Sequence, residues 1–265
     1  MNLGDMHLMK EKQHKIKMFF VGIDLAWSTR NGSGIVILKG DKSKVNFVCG
    51  DVLHSDKEII NYIEKNVKDE NAFISIDTPL IVPNLEGRRI AEVKVGELFR
   101  KYNAGAHPSN RRRLSQWTGT IRGEEISKKL IKKGFKHHPY IKKHERTRKF
   151  FEVYPHPSMV VLFNLDVILK YKLKPKRDYE FRWKEFKKYQ NHLKKINSLN
   201  LPNEIINKNV RKLRGNALKS YEDLLDGVFC AYLSYYHWTN PDKCKVLGNM
   251  KGGYKTTPIF DFMKK

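Results

Sequence analysis

An unbroken apolar run, Met18-Phe19-Phe20-Val21-Gly22-Ile23-Asp24, ends in a carboxylate and is the strongest indication of the fold in the sequence. A run of this kind is typical of a central strand that is buried on both faces of its sheet. The Asn-Gly pair within residues 29–33 predicts a tight hairpin turn, and residues 34–39 predict the returning strand. Another turn precedes residues 45–48, which predict a third strand. The sequence therefore predicts an antiparallel meander of three strands.

Outside this meander, the pattern alternates between helices and strands. Ser55 is a candidate N-cap for a helix that ends near Val67, and residues 72–76 predict a fourth strand that runs into Asp77. A fifth strand is predicted over 150–154, where prolines halt it. Further helices are predicted over 88–101, 123–133, 178–196 and 221–237. This order is typical of an α/β fold with a mixed five-stranded sheet flanked by helices, in which strands one, four and five are parallel.

The charge of the chain is strongly positive, with 52 Lys and Arg against 28 Asp and Glu and a formal net charge of +24. A field of this sign raises the rate and affinity with which a protein binds polyanions, so nucleic acid is the expected partner. Lysine bias from genome composition or thermal adaptation is the alternative explanation. The concentration of basic residues within 128–149 and 170–195 favours the nucleic-acid interpretation.

Cysteine content and hydropathy bound the compartment and the domain organisation. The three cysteines form no CxxC pair, which argues against a disulfide framework and a cysteine zinc site. No apolar stretch approaches the roughly 18 residues that span a bilayer, and residues 1–17 lack the apolar core of a secretory signal. We therefore expect a cytoplasmic protein that does not enter membranes. It is predicted to have a polar tail over 1–17 and one domain over 18–265, with basic helical insertions at about 84–148 and 170–215.

Carboxylates stand at the strand ends, next to strongly apolar neighbours. Asp24 ends strand one, Asp77 follows strand four, and Glu152 lies in strand five, while Asp223 and Asp226 share one face of the last helix. Ligand chemistry in such sheets takes place at the carboxyl ends of the strands. An unpaired charge in such a place costs several kcal/mol, so clustered carboxylates usually hold a cation. Oxygen-only ligands favour Mg²⁺ or Mn²⁺, which in pairs support phosphodiester hydrolysis.

Most of these carboxylates also have a purely structural interpretation. Asp77 can open a turn with the Thr-Pro pair that follows it. A capping box over 220–223 accounts equally well for Asp223. Glu152 can pair with a neighbouring cation such as Lys149. The carboxylate that ends strand one is the hardest to explain in this way, since its sequence neighbours offer it no partner.

A second group of candidate residues lies in the polar segment HPSNRRR, which is suited to clamping phosphates. Arginines bind phosphate oxygens through two parallel hydrogen bonds, and Asn and His add further polar contacts. The alternative is a solvated loop without a ligand. The predicted substrate-binding residues are His107, Asn110, Arg111, Arg112 and Arg113.

The chain resembles a known family in five segments whose order and spacing are together fairly specific. These are VGIDLAW (21–27), IDTPL (76–80), RIAE (89–92), FEVYPHP (151–157) and YEDLLDGVFCA (221–231). They are similar to the DUF429 group of predicted nucleases with a ribonuclease H-like fold. The resemblance implies the same mixed five-stranded sheet that the sequence pattern predicts.

The resemblance also implies roles for individual residues. Asp24 and Asp77 would lie at adjacent ends of the central strands and hold metal, and Asp226 would complete the metal site from the last helix. Asp223 would assist them. Glu152 falls in the family's strand-five motif, to which no role is assigned. At Asp226 the family pattern is Asp-Ala, whereas this chain has Asp-Gly.

The leading functional hypothesis is a nuclease that uses Mg²⁺ or Mn²⁺ to hydrolyse phosphodiesters by water attack. Its catalytic residues would be Asp24, Asp77, Asp226, Asp223 and Glu152. One alternative is a nucleic-acid-binding protein of the same fold without turnover. Another is a phosphotransferase of the sugar-kinase and actin type, which the sequence disfavours because Leu-Ala-Trp-Ser, rather than a glycine-rich phosphate turn, follows the first aspartate.

Overall fold

The computed structural model describes residues 17–116 and 118–264, so nearly all of the polar tail predicted over 1–17 lies outside the described residues. The strands are β1 (Met18–Asp24), β2 (Ser33–Gly40), β3 (Val45–Leu53), β4 (Ala72–Ile76), β5 (Lys136–His137), β6 (Arg148–Glu152), β7 (Leu199–Asn200), β8 (Cys244–Asn249) and β9 (Gly253–Pro258). The helices are α1 (Asp56–Val67), α2 (Ile90–Phe99), α3 (Arg111–Ser115), α4 (Arg122–Lys132), α5 (Pro155–Phe163), α6 (Tyr179–Lys194), α7 (Asn203–Ile206) and α8 (Gly215–Thr239).

A mixed sheet of seven strands lies at the centre, in the order β5-β6-β4-β1-β2-β3-β7, and β8 and β9 form a separate hairpin. β2 is antiparallel to both β1 and β3, while β4 is parallel to both β1 and β6. The predicted meander and the predicted parallel strands are thus confirmed, with β6 as the predicted fifth strand. The predicted count of five is wrong, because the two-residue strands β5 and β7 extend the edges and are too short to show an alternating pattern.

Helices cover both faces of this sheet, which explains the unbroken apolar run of β1. Successive side chains of a strand point to opposite faces. Phe20 joins a core with residues of α8 such as Phe229, whereas Val21 joins a second core with Ile59 and Ile63 of α1. Alternate residues of β1 are therefore buried against the helices on opposite faces of the sheet. A polar side chain at any of these positions would lie in one core or the other.

Helix α1 forms as predicted, because its N-terminus carries a complete capping box. The Ser55 side chain accepts a hydrogen bond from the backbone N–H of Glu58, and the Glu58 carboxylate accepts one from the backbone N–H of Ser55 at 2.7 Å. Such reciprocal capping satisfies two N–H groups that the helix itself leaves unpaired. Ile59, Ile60 and Ile63 are buried along one face, which docks the helix on the sheet.

The last helix, α8, begins at Gly215 rather than near residue 221, so the capping box predicted over 220–223 is wrong. Residues 215–220 extend the helix by more than a turn, and the burial of Leu218 provides the packing that keeps them helical. Asp223 therefore lies inside the helix and not at its N-terminus.

Three glycines let α8 lie directly on the sheet. A Cβ atom at Gly22 of β1 would overlap the backbone of α8 at Gly227 and Ala231, and one at Gly34 of β2 would overlap the backbone of Asp223. The approach at Gly227 is close as well, since a Cβ there would lie 3.1 Å from the Gly34 carbonyl. This contact holds the acidic turn of α8 above the ends of β1 and β2.

The prolines after β6 end that strand, as predicted, and they also begin α5, a helix that the sequence pattern did not indicate. Pro155 occupies the first turn of the helix, where the missing N–H would have no helical partner.

None of the helices in the described part of the chain combines the length and the apolarity that crossing a bilayer requires.

Candidate active site

The carboxyl ends of β1 and β4 open into a cleft of about 710 Å³. Side chains of both charges line it, although they come from widely separated parts of the chain. The acidic residues in the lining are Asp24, Asp77 and Asp223, and the lysines are Lys172, Lys219 and Lys255. A cleft of this size and polarity accommodates a small charged ligand or part of a larger one.

Asp24 and Asp77 lie side by side at the edge of the sheet. Ile23 pairs with Ile76 in the parallel ladder, and the backbone N–H of Asp77 donates to the carbonyl of Ile23 at 2.9 Å. The next residue of each strand therefore emerges at the same point, and both side chains enter the cleft. The structure thus brings together the two aspartates that the strand pattern placed at one edge.

Asp226 lies beneath this pair and is almost completely buried, with 1% of its surface exposed. The hydroxyl of Tyr171 donates to its Oδ1 at 2.6 Å, and the ammonium of Lys172 lies 2.9 Å from its Oδ2. Asp226 therefore has a hydrogen bond on one oxygen and an ion pair on the other. Asp24, Asp77, Asp223 and Asp226 together form the acidic cluster.

Asp223 is one turn earlier on α8 and is also ion-paired. The ammonium of Lys219, four residues before it, contacts its Oδ1 and also lies 3.0 Å from Glu222. Glu222 has a second partner in Arg182 at 3.2 Å. The carboxylate of Asp223 is buried while the lysine is half exposed, so this pair forms one wall of the cleft.

Burial and mutual repulsion disfavour the charged form of these carboxylates. Burial raises the pKa of Asp24 well above its ordinary value, and Asp226 and Asp77 raise it further, while Lys172 opposes them. Burial likewise raises the pKa of Asp77 to about 6 and that of Asp223 to about 6, against the lowering effects of Lys172 and Lys219 respectively. A cation bound in the cluster would relieve this repulsion and stabilise the charged carboxylates.

Glu152 lies outside this cluster, in a fully buried network. Its Oε1 accepts hydrogen bonds from Arg89 at 2.7 Å and Lys255 at 2.8 Å, and its Oε2 accepts them from Arg89 at 3.0 Å and the backbone of Leu80 at 2.9 Å. Burial raises the pKa of Glu152, but the charges of Arg89 and Lys255 outweigh it and leave this pKa below its ordinary value. The structure thus favours the ion-pair interpretation of Glu152 with different partners, because Lys149 pairs with Glu145 instead.

Arg89 also binds Glu92, with 2.6 Å between Nη2 and Oε1. The four side chains Arg89, Glu92, Glu152 and Lys255 are called the closed network. It joins the start of α2 to β6 and β9 and so fixes Lys255, whose side chain reaches the cleft.

The predicted phosphate-binding residues divide between the cleft and the surface. His107 lines the cleft, and the guanidinium carbon of Arg113 lies 5.5 Å from the ring centre of Trp27, another cleft residue. Arg111 and Arg112 form surface ion pairs with Glu124 and Glu86. Asn110 caps α3 by accepting from the backbone of Arg113. Burial and the charges of Lys174 and Arg113 lower the pKa of His107, which disfavours the charged form of this ring.

The donor chemistry of the acidic cluster suits a hard divalent cation. In the residues that the structure describes, no group of three or more His, Cys, Asp and Glu side chains is arranged to hold a metal ion. Asp223 and Asp226 are engaged by lysines, and the carboxylates of Asp24 and Asp77 form no ion pair among the described residues. These two offer the oxygen ligands that Mg²⁺ and Mn²⁺ prefer, so the residues present fit an ion of this class.

Sequence reasoning missed the basic half of the site. Lys172 and Lys255 have no local pattern that distinguishes them in so basic a chain, and Arg89 was noted only as part of the RIAE segment, without a role. No sequence pattern indicated Tyr171, whose hydroxyl donates to Asp226. The adjacent Tyr171-Lys172 pair within the predicted basic insertion was the available signal, since an aromatic hydroxyl next to a lysine can bind both oxygens of one carboxylate.

A family model described as a protein of unknown function (DUF429) matches residues 22–250, from within β1 to just past β8. The chain belongs to the DUF429 family. The match contains the whole acidic cluster together with Lys172, and it ends before Lys255. A search among curated proteins returned no match. The resemblance predicted from short sequence segments is therefore confirmed at the level of the family, whose description assigns no activity.

Proposed function

We propose that this DUF429 protein is a metal-dependent nuclease with a ribonuclease H-like arrangement of its central strands. The observation that carries the proposal is the position of Asp24 and Asp77. They lie side by side at the carboxyl edge of two parallel strands, inside a cleft that lysines surround. Carboxylate pairs in such a position are suited to hydrolysis of a phosphodiester by water.

Asp24 and Asp77, with Asp226 behind them, are the residues that would hold Mg²⁺ or Mn²⁺. When bound, the ion would stabilise negative charge at the phosphate and lower the pKa of a water molecule. The chain itself supplies the position of the substrate. Lys219, half exposed on the cleft wall, is placed to bind phosphate oxygens. We assign Glu152 a positioning role, because its two oxygens accept bonds from Arg89 and Lys255 and so hold Lys255 at the cleft.

The charge distribution supports a polyanionic substrate. His107 and Arg30 add to the lysines on the cleft lining, and the whole chain has a net charge of +24. An excess of this size attracts a phosphodiester backbone without regard to sequence and gives affinity that falls steeply with salt. In this proposal the basic surface binds the substrate, and the acidic cluster within it is the place where the phosphodiester is hydrolysed.

The test is cleavage of single- and double-stranded DNA and RNA by the purified protein with Mn²⁺ or Mg²⁺. We expect Asp24→Asn to lose cleavage by at least about a hundredfold, a loss typical of removing one group that stabilises the transition state. Asp166→Asn, in an exposed loop, is the matched control and should cleave like wild type. Circular dichroism checks that both variants fold. Wild-type protein that cleaves none of these substrates, or Asp24→Asn that cleaves as well as wild type, would contradict the proposal.

A nucleic-acid-binding protein without turnover is favoured by one observation. Lys172 and Lys219 already neutralise Asp226 and Asp223, as they would in a site that needs no metal. This alternative requires tight nucleic-acid binding in the presence of EDTA, unchanged in Asp24→Asn, and no product on prolonged incubation with Mn²⁺.

A further inference from the structure

Lys172 occupies an unusual position for a lysine, because its ammonium lies among carboxylates rather than in bulk water. It is 2.9 Å from Oδ2 of Asp226, and 32% of its side chain is exposed. Its charge also acts on Asp24 and Asp77. The lysine therefore lies at the cation position of the acidic cluster.

The backbone around Lys172 is fixed, so the ammonium is held there and not merely attracted. The carbonyl of Lys172 accepts from Arg177 at 3.1 Å, and the carbonyl of Tyr171 accepts from Nε of Arg182 at 2.9 Å. The Tyr171 hydroxyl binds one oxygen of Asp226 while Lys172 binds the other. Two consecutive residues thus contact both oxygens of one carboxylate, Tyr171 through a hydrogen bond and Lys172 through an ion pair, while Oδ2 of Asp226 has no hydrogen-bond donor among the described residues.

The ion pairs of the acidic cluster show which of its carboxylates Lys172 leaves without a partner. Of its four carboxylates, Asp226 is paired with Lys172 and Asp223 with Lys219. Asp24 and Asp77 have no ion-pair partner among the described residues, so two carboxylates remain whose charged forms need a counter-ion. One divalent ion balances two charges. A second ion bound at Asp226 would meet the Lys172 ammonium at short range, where like charges repel strongly.

We propose that Lys172 is the resident cation of the acidic cluster and takes the place of a second metal ion at Asp226, so that the cleft holds one divalent ion, at Asp24 and Asp77. This inference rests on the proposed function and narrows its ligand set, because Asp226 then orients a lysine rather than a metal. A lysine is a compact point charge with three N–H donors, and it is suited to contact a phosphate oxygen beside the ion.

The test is calorimetric titration with MnCl₂ of wild type, Lys172→Met, Lys172→Arg and the matched control Lys174→Met, an exposed lysine of the same segment. We expect wild type, Lys172→Arg and Lys174→Met to bind one Mn²⁺ per chain. Lys172→Met should bind two, or bind the first at least about tenfold more tightly, since a like charge has been removed from the site. A Lys172→Met titration identical to wild type would overturn the inference, and so would two ions in wild type.

A measurement on the wild-type chain alone covers the case in which Lys172→Met does not fold. Two Mn²⁺ ions about 4 Å apart, as in two-metal sites, give an exchange-coupled electron paramagnetic resonance spectrum. We expect the uncoupled six-line spectrum of a single bound ion, and a coupled spectrum would overturn the inference. Cleavage that depends on Asp24, combined with a coupled spectrum, would leave the nuclease proposal standing and remove the role of Lys172 alone. Wild-type protein that binds no Mn²⁺ at all would remove both this inference and the metal site.

Discussion

The acidic cluster and the closed network border the same cleft, yet they treat buried carboxylates in opposite ways. In the closed network, Glu92 and Glu152 meet Arg89 and Lys255, and the charges are equal in number. In the acidic cluster, four carboxylates meet two lysines. The pKa of Glu152 is correspondingly lowered, whereas that of Asp77 is raised to about 6.

This difference separates a structural role from a functional one more clearly than burial does. Carboxylates in both regions are buried or nearly so, and both regions lie at the carboxyl edge of the sheet. A balanced group with all its oxygens bonded gives the fold a fixed wall. A group with surplus charge is tolerated only where something else supplies the missing cation, which is why the surplus at Asp24 and Asp77 indicates a ligand.

Breaking the closed network should have the largest effect on stability. Arg89→Met leaves Glu92 and Glu152 buried with one cation between them, and removal of one partner from a buried ion pair costs about 3–5 kcal/mol. We therefore expect the free energy of unfolding, measured by urea denaturation, to fall by about that amount. Arg112→Met removes a surface arginine whose partner Glu86 is also exposed, and it should change stability by less than about 0.5 kcal/mol. Equal effects of the two substitutions would show that the closed network is not a structural wall of the cleft.

Buried His237 is a third case, because burial lowers its pKa and no charged group among the described residues offsets this effect. Burial lowers the pKa of His237 to about 3, and its ring packs against Phe151. The unfolded chain binds this proton near pH 6.5 and the folded chain does not, so stability should fall as pH falls from about 6.5 toward 4.

His237→Phe should remove this contribution, which amounts to about 3 kcal/mol at pH 4. The measurement is the free energy of unfolding at several pH values between 7 and 4. His138→Phe changes an exposed histidine and should keep the wild-type slope. If both variants show the wild-type slope, His237 does not remain neutral in the folded protein.

Local sequence was enough to predict the acidic half of the site but not its basic half. Asp24 and Asp77 end apolar strands, and the rule that parallel strands end at one edge brings them together without any knowledge of packing. Lys172 and Lys255 reach the cleft from a loop and from the β8–β9 hairpin, far along the chain from the aspartates they approach. In a chain with 52 Lys and Arg, only the three-dimensional structure shows which of these cations lie next to the carboxylates of the cleft.

The same limit explains the errors in the fold. α1 was predicted correctly because its capping box and its apolar face are both local signals. The start of α8 was misplaced because the Ser-Tyr-Glu-Asp segment has the pattern of a cap, whereas packing of Leu218 extends the helix past it. The edge strands β5 and β7 were missed since two residues carry no periodicity. Tertiary contacts decide each of these cases.

Asp77→Asn should have the smallest effect on stability, but its sign should be opposite to that of Glu152→Gln, the matched change in the closed network. In EDTA, Asp77→Asn should raise the free energy of unfolding by about 1 kcal/mol, since it removes one of the two carboxylates of the acidic cluster for which the described part of the chain provides no ion-pair partner. Glu152→Gln should lower it by about 2 kcal/mol, since it weakens charge-assisted hydrogen bonds in a buried site. Both values come from urea denaturation.

In excess Mn²⁺, by contrast, wild type should be more stable than Asp77→Asn. Mn²⁺ that binds only the folded state stabilises wild type by about 2.7 kcal/mol when its concentration is a hundred times the dissociation constant. Asp77→Asn should lose most of this stabilisation. Glu152→Gln keeps the carboxylates that would hold the ion, so Mn²⁺ should stabilise it as much as wild type. Asp77→Asn that is destabilised in EDTA would mean that its carboxylate is already balanced, and the distinction between the two regions would then fail.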